Sequence, residues 1–234
     1  MKTFPLIEIA VESVEAAEAA QRAGAHRIEL CGALNLGGVT PSAALLGSVR
    51  ERLRIPIFMM IRPRAGDFVY SAAEFEGMKA CISLAKSVGA DGIVLGVLRP
   101  DSSVDIERTR ELISLANPLP VTFHRAFDDT ADLSQALEDV IVAGASRILT
   151  SGGANTALEG MKVIAELVTA AAGRIAVVPG AGITAENISQ LAASTQAQEF
   201  HAGLSSLISY PRSDYAAFER GVRGMVDKLR AAAG

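Results

Sequence analysis

Short hydrophobic runs alternate along the chain with longer segments in which apolar residues recur at helical spacing. The short runs are rich in Ile, Val, Leu and Phe and predict eight strands. These cover residues 6–11, 27–31, 55–62, 92–98, 120–127, 147–151, 175–180 and 199–203. The intervening segments predict eight helices, at 13–23, 42–53, 72–88, 105–116, 132–143, 155–171, 184–194 and 214–232.

Eight strand–helix units in succession predict an α/β protein with one (β/α)8 TIM barrel that spans residues 1–234 as a single domain. Several predicted helices end in a Gly-Ala pair before the next strand, as in "AGAHRIEL", "VGADGIVL" and "AGASRILT". The competing architecture is an open doubly wound sheet, which needs a glycine-rich fingerprint in its first crossover. The first crossover here, "AVESVEAAE", contains no glycine, so the barrel is favoured.

The amino-acid composition indicates which binding partners and which cellular compartment to expect. Half of the residues are hydrophobic, the formal net charge is -4 and there is no Trp, so we expect no nucleic-acid partner. The N-terminal stretch "MKTFPLIEIAVESVEAAEAA" resembles neither a signal peptide nor a membrane span, and the two cysteines do not suggest a disulfide scaffold. We therefore expect a soluble cytoplasmic protein with no membrane partner, and Ala-rich helix faces favour a homodimer or higher homo-oligomer.

Polar side chains concentrate on the strands and at their C-terminal ends, where TIM barrels carry their chemistry. Glu8 and Glu29 lie within predicted strands, and a buried carboxylate is costly without a cation or hydrogen-bond donor. We expect these carboxylates to pair with Arg62, Arg125 or His124, all of which end nearby strands. A purely structural ionic network inside the barrel is the alternative interpretation.

The functional interpretation is an acid–base site for a small anionic, phosphate- or carboxylate-bearing metabolite. A neighbouring Glu would orient His124 and raise its pKa. The predicted catalytic group is His124, Glu8, Glu29 and Asp128. Arginine side chains and glycine-rich turns after the last three strands would bind the anion. The predicted anion-binding group is Arg62, Arg64, Arg125, Ser151, Gly152, Gly153, Gly180, Gly182, His201 and Gly203.

Several segments together resemble a known family. "RIELCGALNLGGVTPS", "IRPRAGDFVYS", "PVTFHRAFD", "RILTSGG", "PGAGIT" and "EFHAG" resemble, in order and spacing, the signature segments of the CutC family. Members of that family are cytoplasmic TIM-barrel proteins named for copper homeostasis. The resemblance thus implies the same barrel, a role in copper homeostasis and copper as the bound ion.

The copper assignment can be checked against the sulfur ligands in the sequence, because Cu(I) prefers thiolate and thioether ligands. Cys31 is the candidate metal ligand and shares strand parity with Glu29, whereas Cys81 is predicted to pack as a small hydrophobe on a helix. Many family members carry Cys at the position of Ala10, and some also carry Cys at the position of Ala202. A Glu/His site would suit a harder divalent ion equally well. The segment "LSSLISYPRSDYAAF" is also shorter than the family's usual polar segment before the last helix.

Overall fold

Eight strands and eight helices alternate in a computed structural model that describes residues 4–208 and 214–232. The strands are β1 (Leu6–Val11), β2 (Arg27–Leu30), β3 (Ile57–Met60), β4 (Gly92–Leu95), β5 (Val121–Phe123), β6 (Arg147–Thr150), β7 (Ala176–Pro179) and β8 (Glu199–Gly203). The helices are α1 (Val14–Arg22), α2 (Ala43–Arg52), α3 (Ala72–Val88), α4 (Ile106–Ala116), α5 (Leu133–Ala143), α6 (Met161–Ala171), α7 (Ile188–Thr195) and α8 (Ala216–Ala232). The sequence-based prediction of eight βα units is confirmed.

All strand pairs are parallel, and the sheet order is β7-β6-β5-β4-β3-β2-β1-β8. The ends of this sheet approach each other, because a Cβ atom at Gly180, just after β7, would lie 3.5 Å from the Cβ of His201 on β8. The strands therefore form a nearly closed TIM barrel, as predicted. Pairing of β1 with both β2 and β8 places Glu8 opposite Arg27 on one side and His201 on the other.

Strand alternation separates a hydrophobic layer from a polar interior. On β1, Ile7 and Ile9 are fully buried in the large hydrophobic cluster shared with the helices, while Glu8 and Ala10 alternate with them. A parallel barrel strand is covered on both faces, so the alternate residues point into the barrel. The polar side chains of the interior are thereby held on rigid strands.

Local sequence explains where the helices begin and end. Ser71 begins α3 with a capping box, in which its hydroxyl accepts from the Glu74 amide and the Glu74 carboxylate accepts from the Ser71 amide. Gly89 and Gly144 end α3 and α5 with φ values of 97° and 96°, which favour glycine. The Gly-Ala pairs in the sequence are therefore helix C-terminal signals.

The three largest boundary differences between prediction and structure lie in the fifth strand and in helices α6 and α7. The fifth strand ends at Phe123 instead of residue 127, because the His124 side chain accepts from the Ala126 amide and starts a 3-10 turn over Arg125–Asp129. Helices α6 and α7 begin later than the predicted 155 and 184, after turns whose polar residues hydrogen-bond locally. Residues 209–213 of the short segment before the last helix lie outside the described residues.

Candidate functional site

A cavity of about 490 Å³ opens at the C-terminal ends of the strands. Five of the predicted site residues with charged or titratable side chains line it, from four different strand regions. They are Glu29, Arg62, His124, Arg125 and His201. Seven buried side-chain polar atoms of the described residues have no hydrogen-bond partner, and three of them belong to residues that line this cavity, namely Glu29 Oε2, Arg62 Nε and His124 Nε2. Buried polar atoms are normally satisfied, so these three are candidate contacts for a ligand.

Glu8 lies below this cavity with only 2% of its surface exposed. Its Oε1 is 2.7 Å from His201 Nδ1, and its Oε2 accepts from Arg27 Nε. Burial by itself would raise the pKa of Glu8, but Arg27 and then His201 outweigh it and lower the pKa to about 2. The predicted partners Arg62, Arg125 and His124 were therefore wrong for Glu8. Its cation is Arg27, which strand alternation on β2 places on the same face as Glu29.

A second charged cluster fills the lower part of the barrel. Arg27 Nη2 and Arg147 Nε donate to Glu199 Oε2 at 2.7 and 2.9 Å, and both guanidinium groups stack on Phe58, at 4.6 and 4.9 Å from the ring centroid. Buried charges need such pairing, and this cluster lies away from the residues that line the cavity. The structural ionic network considered from the sequence thus describes the lower barrel.

Glu29 joins the cavity floor to Cys31. The Cys31 thiol donates to Glu29 Oε1 at 3.3 Å, and Cys31 is fully buried against Phe58 and Met60. Burial raises the pKa of Glu29, with His201 opposing the rise and Glu8 adding to it. Burial and then Glu29 raise the pKa of Cys31 well above its usual value, which keeps the thiol protonated.

His201 faces both of these carboxylates. Burial would lower the pKa of His201, but the negative charge of Glu29 and then the hydrogen bond to Glu8 raise it. One candidate ligand atom from each of Glu8, Glu29 and His201 lies within 4.8 Å of the other two. His201, predicted as an anion-binding residue, therefore belongs to a group of side chains close enough together to hold a metal ion, and Glu8 fixes its ring orientation.

His124 lies in a different environment from the one predicted. No carboxylate pairs with it in the described chain; its Nδ1 accepts from the Ala126 amide at 3.1 Å. Burial, and then the positive charge of Arg62, lower the pKa of His124 to about 3. The expectation that Glu8 or Glu29 raises this pKa was wrong, because those carboxylates face His201 instead.

The turn "TSGG" binds the side chain of Asp128. The Ser151 and Gly153 amides donate to the carboxylate at 3.0 to 3.1 Å, and Arg125 Nε donates at 2.8 Å. The Gly152 amide donates to Thr150 Oγ1 at 2.8 Å. The amides predicted to bind an external anion are thus used by the chain's own carboxylate, and Asp128, predicted as catalytic, joins β5 to β6.

The remaining predicted residues divide between cavity and surface. Arg125, Gly182 and Gly203 line the cavity, and Gly180 packs against His201. Arg64 does not line it; its guanidinium donates to Glu74 and Asp67 at the protein surface, so a direct clamp by Arg64 is not supported by its position.

Some cavity-lining residues were not predicted as site residues from the sequence. Phe68 and Met60 line the cavity, although neither was predicted as a site residue. Ala10 also lines it, whereas Ala202 is buried in the layer shared with the helices. Only the first of the two positions where family members often carry Cys therefore faces the candidate site.

The family model described as "CutC family" matches residues 5–206. The chain belongs to the CutC family. A family protein CutC from Xylella fastidiosa (strain 9a5c) is 50% identical over 206 residues, which cover 88% of this chain and 77% of that protein. The human copper homeostasis protein cutC homolog is 50% identical over 196 residues, covering 84% of this chain and 72% of the human one.

Solved structures support the same family and fold. The CutC protein of Streptococcus agalactiae superposes with a TM-score of 0.81 at 33% identity, over 85% of this chain and 98% of that one. Thiamine phosphate pyrophosphorylase from Pyrococcus furiosus has a TM-score of 0.66 at 14% identity, covering 100% and 98% of the two chains, and shares the fold alone. Within residues 4–208 and 214–232, no helix of this CutC protein is long and apolar enough to cross a bilayer.

Proposed function

We propose that this CutC protein acts in copper homeostasis by binding a divalent copper ion at Glu29 and His201, with Glu8 holding the His201 ring through its hydrogen bond to Nδ1. The observation that carries the proposal is the convergence of these three side chains, with one candidate ligand atom of each within 4.8 Å of the others. Glu29 Oε2 has no hydrogen-bond partner among the described residues, and the Glu29 and His201 side chains both line the cavity.

The donor set favours Cu(II) over Cu(I). Carboxylate oxygen and imidazole nitrogen suit a divalent ion, and Cu(II) binds most tightly in the first-row divalent series. A histidine that ligates a metal usually has its other ring nitrogen bonded to a carboxylate, which is the relation of His201 to Glu8. Cu(I) would need several sulfur ligands, whereas Cys31 is a buried thiol with a raised pKa, and Ala10 lines the cavity where many family members carry Cys. Cys31 stays a predicted copper ligand, but Glu29 and His201 are preferred to it.

A second candidate function is an enzyme acting on a small anionic metabolite. Glu29 and His201 line the same cavity, and the pKa values of both are raised. A carboxyl and an imidazole with such pKa values suit general acid–base catalysis. Arg62 and Arg125 line the same cavity and supply positive charge. The predicted cytoplasmic location and homo-oligomeric state are compatible with either function, and both cysteines are free thiols.

The test is a titration of the metal-stripped protein with Cu2+ against a competing colorimetric chelator. We expect one equivalent to bind, with affinity at least about tenfold lower in Glu29→Gln and His201→Gln. Glu138→Gln, which changes an exposed carboxylate on α5, is the matched control. Unchanged copper affinity in both site variants would exclude the proposed ion site, and a loss confined to Cys31→Ser would move copper to the thiol.

A further inference from the structure

We propose that Arg62 and His124 form an oxyanion-binding wall in this cavity, which recognises the carboxylate or phosphate group of a small ligand. This inference does not depend on the copper proposal, because neither side chain belongs to the Glu8, Glu29 and His201 group. It rests on two side chains that line one cavity, each of which carries a buried donor atom with no acceptor within the described residues.

Arg62 is a buried cation without a carboxylate partner in the described chain. It is 7% exposed, and its Nη1 donates to the carbonyl oxygens of residues 36–38 at 3.1 to 3.4 Å. Its Nη2 donates to the Gly66 carbonyl at 2.8 Å, which leaves the Nε–H without an acceptor. Carbonyl oxygens satisfy the hydrogen bonds of a guanidinium but do not neutralise its charge, so a ligand anion would complete the site.

His124 supplies the second donor. Its Nδ1 accepts from the Ala126 amide, so that nitrogen carries no proton and the neutral ring carries its proton on Nε2. Burial and the neighbouring Arg62 lower the pKa of His124 to about 3, which keeps the ring in this neutral form near pH 7. The Nε2–H group is buried and unpartnered, and a neutral imidazole N–H is a donor suited to a carboxylate or phosphate oxygen.

Packing holds the two donors in fixed positions. The Phe68 ring contacts both, with its centroid 4.8 Å from Arg62 Cζ and 4.9 Å from the His124 ring centroid. A Cβ atom at Gly96 would lie only 2.6 Å from the imidazole, so glycine at this position leaves room for His124. Donors that are oriented before the ligand arrives lose little entropy on binding.

The rest of the cavity indicates the size and polarity of the ligand. A volume of about 490 Å³ exceeds that of one phosphate ion, so the anionic group belongs to a small organic molecule. The amides of Ser151 and Gly153 already bind Asp128, which directs the external anion to Arg62 and His124. Glu29 Oε2 needs a hydroxyl, amine or metal ion from whatever occupies the other side.

The test is an NMR titration of metal-stripped, isotope-labelled protein with inorganic phosphate or acetate. The chemical shifts of the Phe68 and Gly182 amides report binding. We expect saturable shifts in the wild type, with the phosphate dissociation constant raised about tenfold or more in Arg62→Gln and His124→Asn. His124→Asn keeps an acceptor for the Ala126 amide but removes the Nε2 donor. If Arg62→Gln does not fold, the phosphate affinity of His124→Asn still tests the proposal.

Arg174→Gln is the matched control, because Arg174 is exposed and pairs with Glu138 far from the cavity lining. Equal phosphate affinity in the wild type, His124→Asn and Arg174→Gln would overturn the oxyanion wall, as would shifts that do not saturate. Glu29→Gln separates the two proposals: we expect this variant to lose copper and keep phosphate binding. Loss of phosphate binding in Glu29→Gln with retention in His124→Asn would contradict the inference.

Discussion

The most quantitative consequence of the structure concerns the stability of the fold in mild acid. His124 is 3% exposed and its pKa is lowered to about 3, against 6.5 for an ordinary histidine. Below pH 6.5 the unfolded chain takes up a proton on this side chain, while the folded chain does not until about pH 3. Stability from this residue is therefore complete above pH 6.5 and is lost as the pH falls.

The magnitude follows from about 1.4 kcal/mol for each pH unit between the two pKa values. Between about pH 7.5 and about pH 4.5, the wild type should lose about 2–3 kcal/mol more unfolding free energy than His124→Asn, which has no titratable ring. Comparing the change in the two proteins cancels the contributions of Glu8, His201 and the surface carboxylates. Urea unfolding at both pH values measures the difference, and His26→Gln shows how much a half-buried imidazole contributes.

An equal loss of stability in the wild type and His124→Asn would refute the assignment of His124 as a buried neutral imidazole. A greater loss in the variant would show that the ring gains a proton partner in acid, such as a carboxylate that approaches it. Either result would also remove the basis for treating Nε2 as a standing hydrogen-bond donor to the cavity.

Three further substitutions test other parts of the structure. Arg27→Met leaves the buried Glu8 carboxylate without its cation and should lower the unfolding free energy by about 3–5 kcal/mol in urea; a loss below about 1 kcal/mol would contradict the pairing. Gly96→Ala places a methyl against the His124 ring, and should cost about 1–3 kcal/mol and weaken phosphate binding. Cys31→Ser should leave the phosphate dissociation constant unchanged in the same NMR titration, since the thiol contacts Glu29 and not the Arg62 wall.

The barrel and the general location of the site were predictable from the sequence because both depend on periodicity. Strand alternation places Glu8, Glu29 and His201 inside, and the C-terminal ends of barrel strands meet at one mouth. The same alternation applied to the first residue of β2 would have identified Arg27 as the buried cation. That signal is present in the sequence, at the first residue of the predicted strand 27–31.

The pairing of charges was not predictable, because it depends on which strands are neighbours and at which height each side chain lies. Closure of the barrel brings β8 beside β1, so Glu8 meets His201 instead of His124, although both histidines follow apolar strand residues. The turn "TSGG" resembles an anion site in sequence, and only the 3-10 turn after His124 shows that Asp128 fills it. Local glycine content cannot distinguish an internal anion from an external one.

The central claim, that Glu29 and His201 bind Cu2+ at the cavity floor, is tested most directly by electron paramagnetic resonance of the protein with one equivalent of Cu2+. The structure predicts nitrogen hyperfine coupling from a single imidazole, lost in His201→Gln and retained in His26→Gln and His124→Asn. A spectrum unchanged by His201→Gln would contradict the account.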